Sequence, residues 1–137
     1  MDNIVLDTNC LVASLSRRKK YYQIWHDFMI GKFVLCISNE ILTEYEEILT
    51  QKMGAEIANN VIVAILARKN TKLVEVYYRF NLIQSDPDDN KFVDCAVKTN
   101  AKYIVTEDHH FRELKNIGFP SVEYIGIEDF YNSLLNT

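Results

Sequence analysis

Short apolar runs alternate along this chain with amphipathic stretches of helical period. Asn3 to Leu6, built on the apolar run Ile4-Val5-Leu6, and the apolar run Phe33 to Ile37 read as strands. Between them, Tyr21 to Ile30 carries Ile24, Trp25, Phe28 and Met29 on one helical face. Ser38 or Asn39 is placed to cap a helix reaching about Met53, with Ile41, Leu42, Tyr45, Ile48 and Leu49 at helical spacing. Ala55 to Ala67 reads as a further helix, broken at Asn70, and Lys72 to Tyr77 as β-prone. Asp86-Pro87 opens a helix running to about Asn100. Tyr103 to Thr106 and Val122 to Ile125 read as strands, with helices over about His109 to Lys115 and Glu128 to Leu135.

Apolar strands alternating with amphipathic helices predict an α/β fold in which a mainly parallel sheet is covered on both faces. With 137 residues, 4 Gly and 2 Pro, and neither repeat nor low-complexity tract, nothing divides the chain, and a single domain over residues 1–137 is expected. No apolar run approaches the roughly 20 residues of a membrane span, and the start of the chain is unlike a signal peptide, so no membrane association and a cytoplasmic location are expected. Cys10, Cys36 and Cys95 share no CxxC spacing and sit in apolar surroundings, as buried thiols do in a reducing compartment. The formal net charge of −4 argues against coating nucleic acid by bulk charge.

The chemistry lies in the acids. Parallel sheets present ligands at the carboxyl ends of their strands, and four carboxylates can be placed there: Asp7 after the first strand, Glu44 on the helix after the second, Asp89 in a first helical turn, and Asp108 after the strand ending at Thr106. Buried acids without partners are costly, but a divalent cation gives such a cluster a purpose. Each acid also has a structural role open to it. Asp7 and Asp108 stand where helix caps stand, and Thr8 or Asn9 could finish the first cap or support a metal site. At about 100° per residue, Glu44 and Glu46 fall on opposite borders of one apolar stripe, and periodicity does not choose between them. Asp86, Asp88 and Asp89 are explained as cap and first-turn acids. Yet Asp89 projects onto the face of Phe92, Val93 and Ala96, whereas Asp94 projects to solvent.

His109 and His110 lack a second pair at zinc spacing, which leaves them surface or substrate contact. An oxygen-rich site without thiolates suits Mg²⁺ or Mn²⁺. Arg17-Arg18-Lys19-Lys20 forms a basic turn able to hold phosphates flanking a scissile one, and Lys91 can screen the acids or reach substrate.

Taken together, Val5-Leu6-Asp7-Thr8-Asn9, the segment Ser38 to Glu44, Asp86-Pro87-Asp88-Asp89-Asn90-Lys91-Phe92 and Ile104-Val105-Thr106-Glu107-Asp108 resemble the PIN-domain nucleases. The likeness is strongest to the PIN-family toxins of prokaryotic toxin-antitoxin pairs, relatives of the VapC-like toxins. It implies a three-layer α/β/α sandwich, dependence on Mg²⁺ or Mn²⁺, and a ribonuclease acting on RNA. It also implies a cognate antitoxin protein and homodimerisation. It assigns Asp7, Glu44, Asp89 and Asp108 to the catalytic and metal-binding cluster, choosing Glu44 over Glu46, and Asn9 and Thr106 to hydrogen-bonding support. Asp86 and Asp88 remain capping residues under it. The alternative is a catalytically inactive PIN-like scaffold that binds RNA or protein. A response-regulator phosphoacceptor domain would need an acidic pair near its first strand and a late-strand lysine, and an aspartyl phosphatase a second acid where Asn9 stands; these are not found.

Overall fold

The computed structural model describes residues 1–136; Thr137, the end of the expected domain, lies outside the described residues. The elements follow in the order β1 (Asn3–Leu6), α1 (Thr8–Ala13), α2 (Tyr22–Met29), β2 (Val34–Ser38), α3 (Asn39–Met53), α4 (Ala55–Ala67), β3 (Thr71–Val74), α5 (Asn90–Thr99), β4 (Tyr103–Val105), β5 (Tyr124–Ile125) and α6 (Ile127–Leu135). Two 3₁₀ segments, Pro87–Asp89 and His109–Asn116, precede α5 and follow β4.

The strands form one five-stranded sheet, ordered β3-β2-β1-β4-β5 and parallel at every pairing. Helices flank this sheet in the three-layer α/β/α arrangement. Ile4, Val5, Leu6, Leu35, Cys36 and Ile37 are all buried, as strands covered on both faces must be. All three cysteines are free and buried. The chain runs outward from β1 to β2 and β3, then returns to add β4 and β5 on the other side of β1. The direction of winding therefore reverses between β1 and β4. The chain leaves their carboxyl ends into different elements, α1 after β1 and the second 3₁₀ segment after β4, and such a reversal marks the usual ligand crevice of these sheets.

Several elements are shorter than the apolar pattern predicts, because a strand lasts only as long as its neighbour. β3 ends at Val74 opposite Ser38, where β2 gives way to α3. β5 holds two residues because β4 ends at Val105, the partner of Ile125. The expected helix from Asp86 begins as a 3₁₀ turn, with Pro87 in its first turn and Asp86 Oδ1 accepting the Asp88 amide at 3.2 Å. The expected helix over His109 to Lys115 is entirely 3₁₀.

Asp94 corrects the helical projection: it is buried at 3% exposure rather than facing solvent. Its carboxylate accepts the Phe80 amide at 3.1 Å. Asn90 clamps the same irregular stretch, accepting the Ile83 amide and donating to the Ile83 carbonyl, both at 2.8 Å. Glu113 accepts the amides of Gln84 and Ser85 at 2.7 and 3.2 Å. Side chains from α5 and the second 3₁₀ segment thus satisfy backbone groups of Phe80, Ile83, Gln84 and Ser85 in a stretch without ladder partners.

Candidate metal centre

Asp7 leaves β1 directly into α1, and its carboxylate makes none of the usual capping bonds to that helix. Instead Oδ2 accepts a hydrogen bond from Thr106 Oγ1 at 2.7 Å across the crevice. The Asp7 amide meanwhile donates to the Val105 carbonyl at 3.0 Å, locking the ends of β1 and β4 together. Burial raises the Asp7 pKa, with the Thr106 hydroxyl and Thr8 amide opposing the rise and Glu44 and Asp108 adding to it.

Glu44 is brought in by α3. Ser38 caps this helix by accepting the Ile41 amide at 3.3 Å, and the buried Tyr45 hydroxyl donates to the Leu6 carbonyl at 2.5 Å. Pinning Tyr45 beside the end of β1 turns Glu44 toward the crevice, where it accepts from Thr8 Oγ1 and pairs with Lys91 Nζ at 2.9 Å. Glu46 is exposed, as are Glu40 and Glu47. Lys91 also donates to the Asp88 carbonyl at 2.6 Å, and only 15% of its side chain is accessible.

Asp89 and Asp108 face each other across the mouth. Asp89 is 7% exposed, and its Oδ2 is buried without a hydrogen-bond partner. Its pKa is pushed up to about 8, first by burial, then by the shared contact with Asp108 and the charges of Asp108, Asp86 and Asp7. Burial opposes ionisation of Asp108 too, yet its pKa is held low by the His110 amide, the Asp89 carboxyl and the His110 ring. Burial and the facing acids thus favour the neutral form of Asp89, and the His110 contacts favour the ionised form of Asp108. Asp108 caps the 3₁₀ segment through the His110 amide at 2.9 Å, and its own amide donates to Thr106 Oγ1 at 3.0 Å.

Two residues not assigned to the site from sequence stand at this mouth. His110 Nδ1 lies 2.8 Å from Asp108, 3.7 Å from Asp86 and 3.9 Å from Asp89. One ligand atom from each of these four residues fits within a span of 4.8 Å. Oxygen ligands of a divalent ion stand about 2.0–2.6 Å from it, so this spacing suits coordination after a small contraction. The unpartnered Asp89 oxygen and a pKa raised by burial and then by neighbouring acids both mark a place where a cation would restore balance. Of the four acids expected from sequence, Asp89 and Asp108 fall within this group and Asp7 and Glu44 do not; its mostly oxygen donors are of the kind that suit Mg²⁺ or Mn²⁺.

Residues 3–110 match the PIN domain family. The chain belongs to that family. Among solved structures, it is similar to VapBC2 from Rickettsia felis bound to a promoter DNA fragment, at 17% identity and a TM-score of 0.61, over 90% of this chain and 98% of that one. DNA-bound VapBC from Salmonella typhimurium is similar at 16% identity and a TM-score of 0.59, over 93% and 99% of the two chains. VapC20 of Mycobacterium tuberculosis, described as a sarcin-ricin-loop-cleaving toxin, is similar at 17% identity and a TM-score of 0.52, over 74% and 86%. At these identities the likeness is one of fold. No curated protein matches the chain.

The remaining site expectations meet the PIN fold unevenly. Thr106 bridges Asp7 and Asp108, whereas Asn9 is exposed on α1 and the neighbouring Thr8 hydroxyl makes the contact to Glu44. Lys20, in the basic turn, pairs with Glu128 of α6 at 2.8 Å, which also accepts from Tyr21 at 2.6 Å. Arg17, Arg18 and Lys19 are free of α-helix and strand structure between α1 and α2. Asp86 caps through Oδ1, as expected, but its Oδ2 faces His110. No helix among the described residues is long and apolar enough to cross a membrane.

Proposed function

We propose that this PIN-domain chain is a metal-dependent endoribonuclease, the toxin of a toxin-antitoxin pair acting in the cytoplasm as a single domain over residues 1–137. The carrying observation is the buried, unpartnered Asp89 carboxyl oxygen facing Asp108 at the mouth of the β1/β4 crevice. An acid cluster that disfavours its own ionisation is poorly explained by stability and well explained by cation binding.

In this reading Asp7 and Asp89 hold Mg²⁺ or Mn²⁺ directly, and Glu44 and Asp108 complete the acidic shell. When bound, such an ion acidifies water and offsets negative charge on the scissile phosphodiester. Thr106 fixes the direction of the Asp7 carboxylate, and Thr8 fixes that of Glu44. Lys91 sets a positive charge beside Glu44, in reach of a substrate phosphate, and the turn Arg17 to Lys20 offers further charge for the RNA strand. The similar VapBC structures motivate a cognate antitoxin, and the resemblance to the PIN-family toxins motivates a homodimer. Tyr77 and Tyr78, 80% and 69% exposed, are side chains of the kind that protein partners cover.

The test is cleavage of single-stranded and structured RNA by purified protein with Mg²⁺ or Mn²⁺, with and without chelator. Metal-dependent cutting that Asp7→Asn abolishes supports the enzyme. Equal cutting in chelator overturns the metal mechanism, and RNA binding without cutting returns the inactive scaffold. Light scattering alone and with the product of the neighbouring reading frame tests the dimer and the antitoxin.

A further inference from the structure

His110 is oriented in a way that neither a surface side chain nor a helix-capping role requires. Its amide is fixed by the Asp108 carboxylate at 2.9 Å, and its ring lies against that of His109 with centroids 4.2 Å apart. This turns Nδ1 inward, toward one oxygen each of Asp86, Asp89 and Asp108. Nδ1 is buried and reaches Asp108 at 2.8 Å as an ion-pair contact outside hydrogen-bonding geometry, and Asp89 Oδ2 is likewise buried without a hydrogen bond. Buried polar atoms in proteins are nearly always satisfied, so two unsatisfied atoms aimed into one space less than 5 Å across point to an absent partner that accepts both. A cation accepts a nitrogen and an oxygen lone pair at once.

We propose that His110 Nδ1 is a metal ligand, forming with Asp86, Asp89 and Asp108 a mixed nitrogen-oxygen position that selects Mn²⁺ over Mg²⁺. The proposal rests on the reading of the crevice as a metal centre and extends it to residues that the four-acid cluster omits. Mg²⁺ is a hard ion that prefers oxygen and gives up its waters reluctantly, while imidazole nitrogen suits transition-metal ions. Asp86 and His110 come from the turn before α5 and the segment after β4, so each joins the position only through the fold. Asp86 keeps its cap with Oδ1 and offers Oδ2.

Mn²⁺ is the probe, bound to the full-length protein and read by electron spin-echo modulation, which detects a directly coordinated imidazole nitrogen without reference to activity. The expected result is a nitrogen coupling in the parent protein that survives His109→Phe and disappears in His110→Phe and His110→Gln. Calorimetry should show Mn²⁺ affinity falling by about tenfold or more in the His110 variants and in Asp86→Asn, the scale of losing a metal-site partner. Mg²⁺ affinity should change by less than about threefold in the His110 variants. A parent spectrum without nitrogen coupling overturns the proposal with no variant needed, and so does equal loss of both metals in the His110 variants. Metal-dependent RNA cleavage without the coupling would leave the nuclease reading standing and remove this ligand; the coupling without cleavage would do the reverse.

Discussion

Thr106 Oγ1 donates to Asp7 Oδ2 at 2.7 Å, and the same oxygen accepts the Asp108 amide at 3.0 Å. One hydroxyl therefore orients the acid after β1 and the chain after β4. Thr106→Val keeps the shape and removes both bonds, leaving a carboxylate and an amide without partners. It should cost about 1–3 kcal/mol in urea unfolding and lower RNA cleavage, while Thr106→Ser restores both. Cleavage and stability unchanged in Thr106→Val would show that the bridge positions nothing.

Asp89 makes stability depend on pH in a direction opposite to that of ordinary paired acids. Its folded-state pKa of about 8 lies far above its value of about 4 in the unfolded chain, so the folded protein holds an extra proton between them. Stability from this group is fully present below about pH 4 and is lost as pH rises through about 8. Thermal unfolding of the metal-free protein should show this decline, and Asp89→Asn should flatten it and melt about 4 °C or more above the parent at pH 8.5. Mn²⁺ should raise the parent's melting temperature more at pH 8.5 than at pH 6. A melting curve for Asp89→Asn that parallels the parent would show that the proton does not reside there.

Glu44 and Glu46 separate by environment. Glu44→Gln should reduce cleavage by about tenfold or more, the scale of one positioned catalytic contact, and Glu46→Gln should match the parent in single-turnover assays. Both should fold normally. A dead Glu46→Gln would place the active face of α3 elsewhere.

Lys91 sets its ammonium against Glu44, where it opposes a bound cation and attracts a phosphate. Lys91→Ala should therefore tighten Mn²⁺ binding by about threefold or more while raising KM for RNA. A weakened Mn²⁺ affinity would instead make Lys91 a support of the acidic shell.

Replacing Arg17, Arg18, Lys19 and Lys20 with Ser should weaken RNA binding and flatten its dependence on salt, leaving Mn²⁺ affinity intact. The exposed Lys20–Glu128 pair contributes little to stability, so the melting temperature should hardly move. An unchanged salt slope would remove the turn from the RNA path.

What the sequence determined by itself is local. Three-residue apolar runs followed by Asp or Thr-x-Asp define strands that stop at a charged edge, and Asp86-Pro87 defines a helical start, because caps and strand ends are written within a few consecutive residues. The parallel α/β class follows from their alternation, and the family likeness from their order. Tertiary structure decided everything that depends on a partner distant in the chain. Asp7 and Thr106 are separated by 99 positions, and Glu44 and Lys91 by 47. Helical periodicity shows which side of α3 is apolar, but only the anchoring of Tyr45 at Leu6 and the approach of Lys91 turn Glu44 rather than Glu46 into the crevice. Likewise Asp94 projects to solvent on an isolated helix and is buried because the irregular chain around Phe80 crosses over it. His110 enters the acidic mouth because its segment winds as 3₁₀ from the Asp108 cap, a choice between two hydrogen-bonding patterns that sequence spacing does not distinguish and the packed site does.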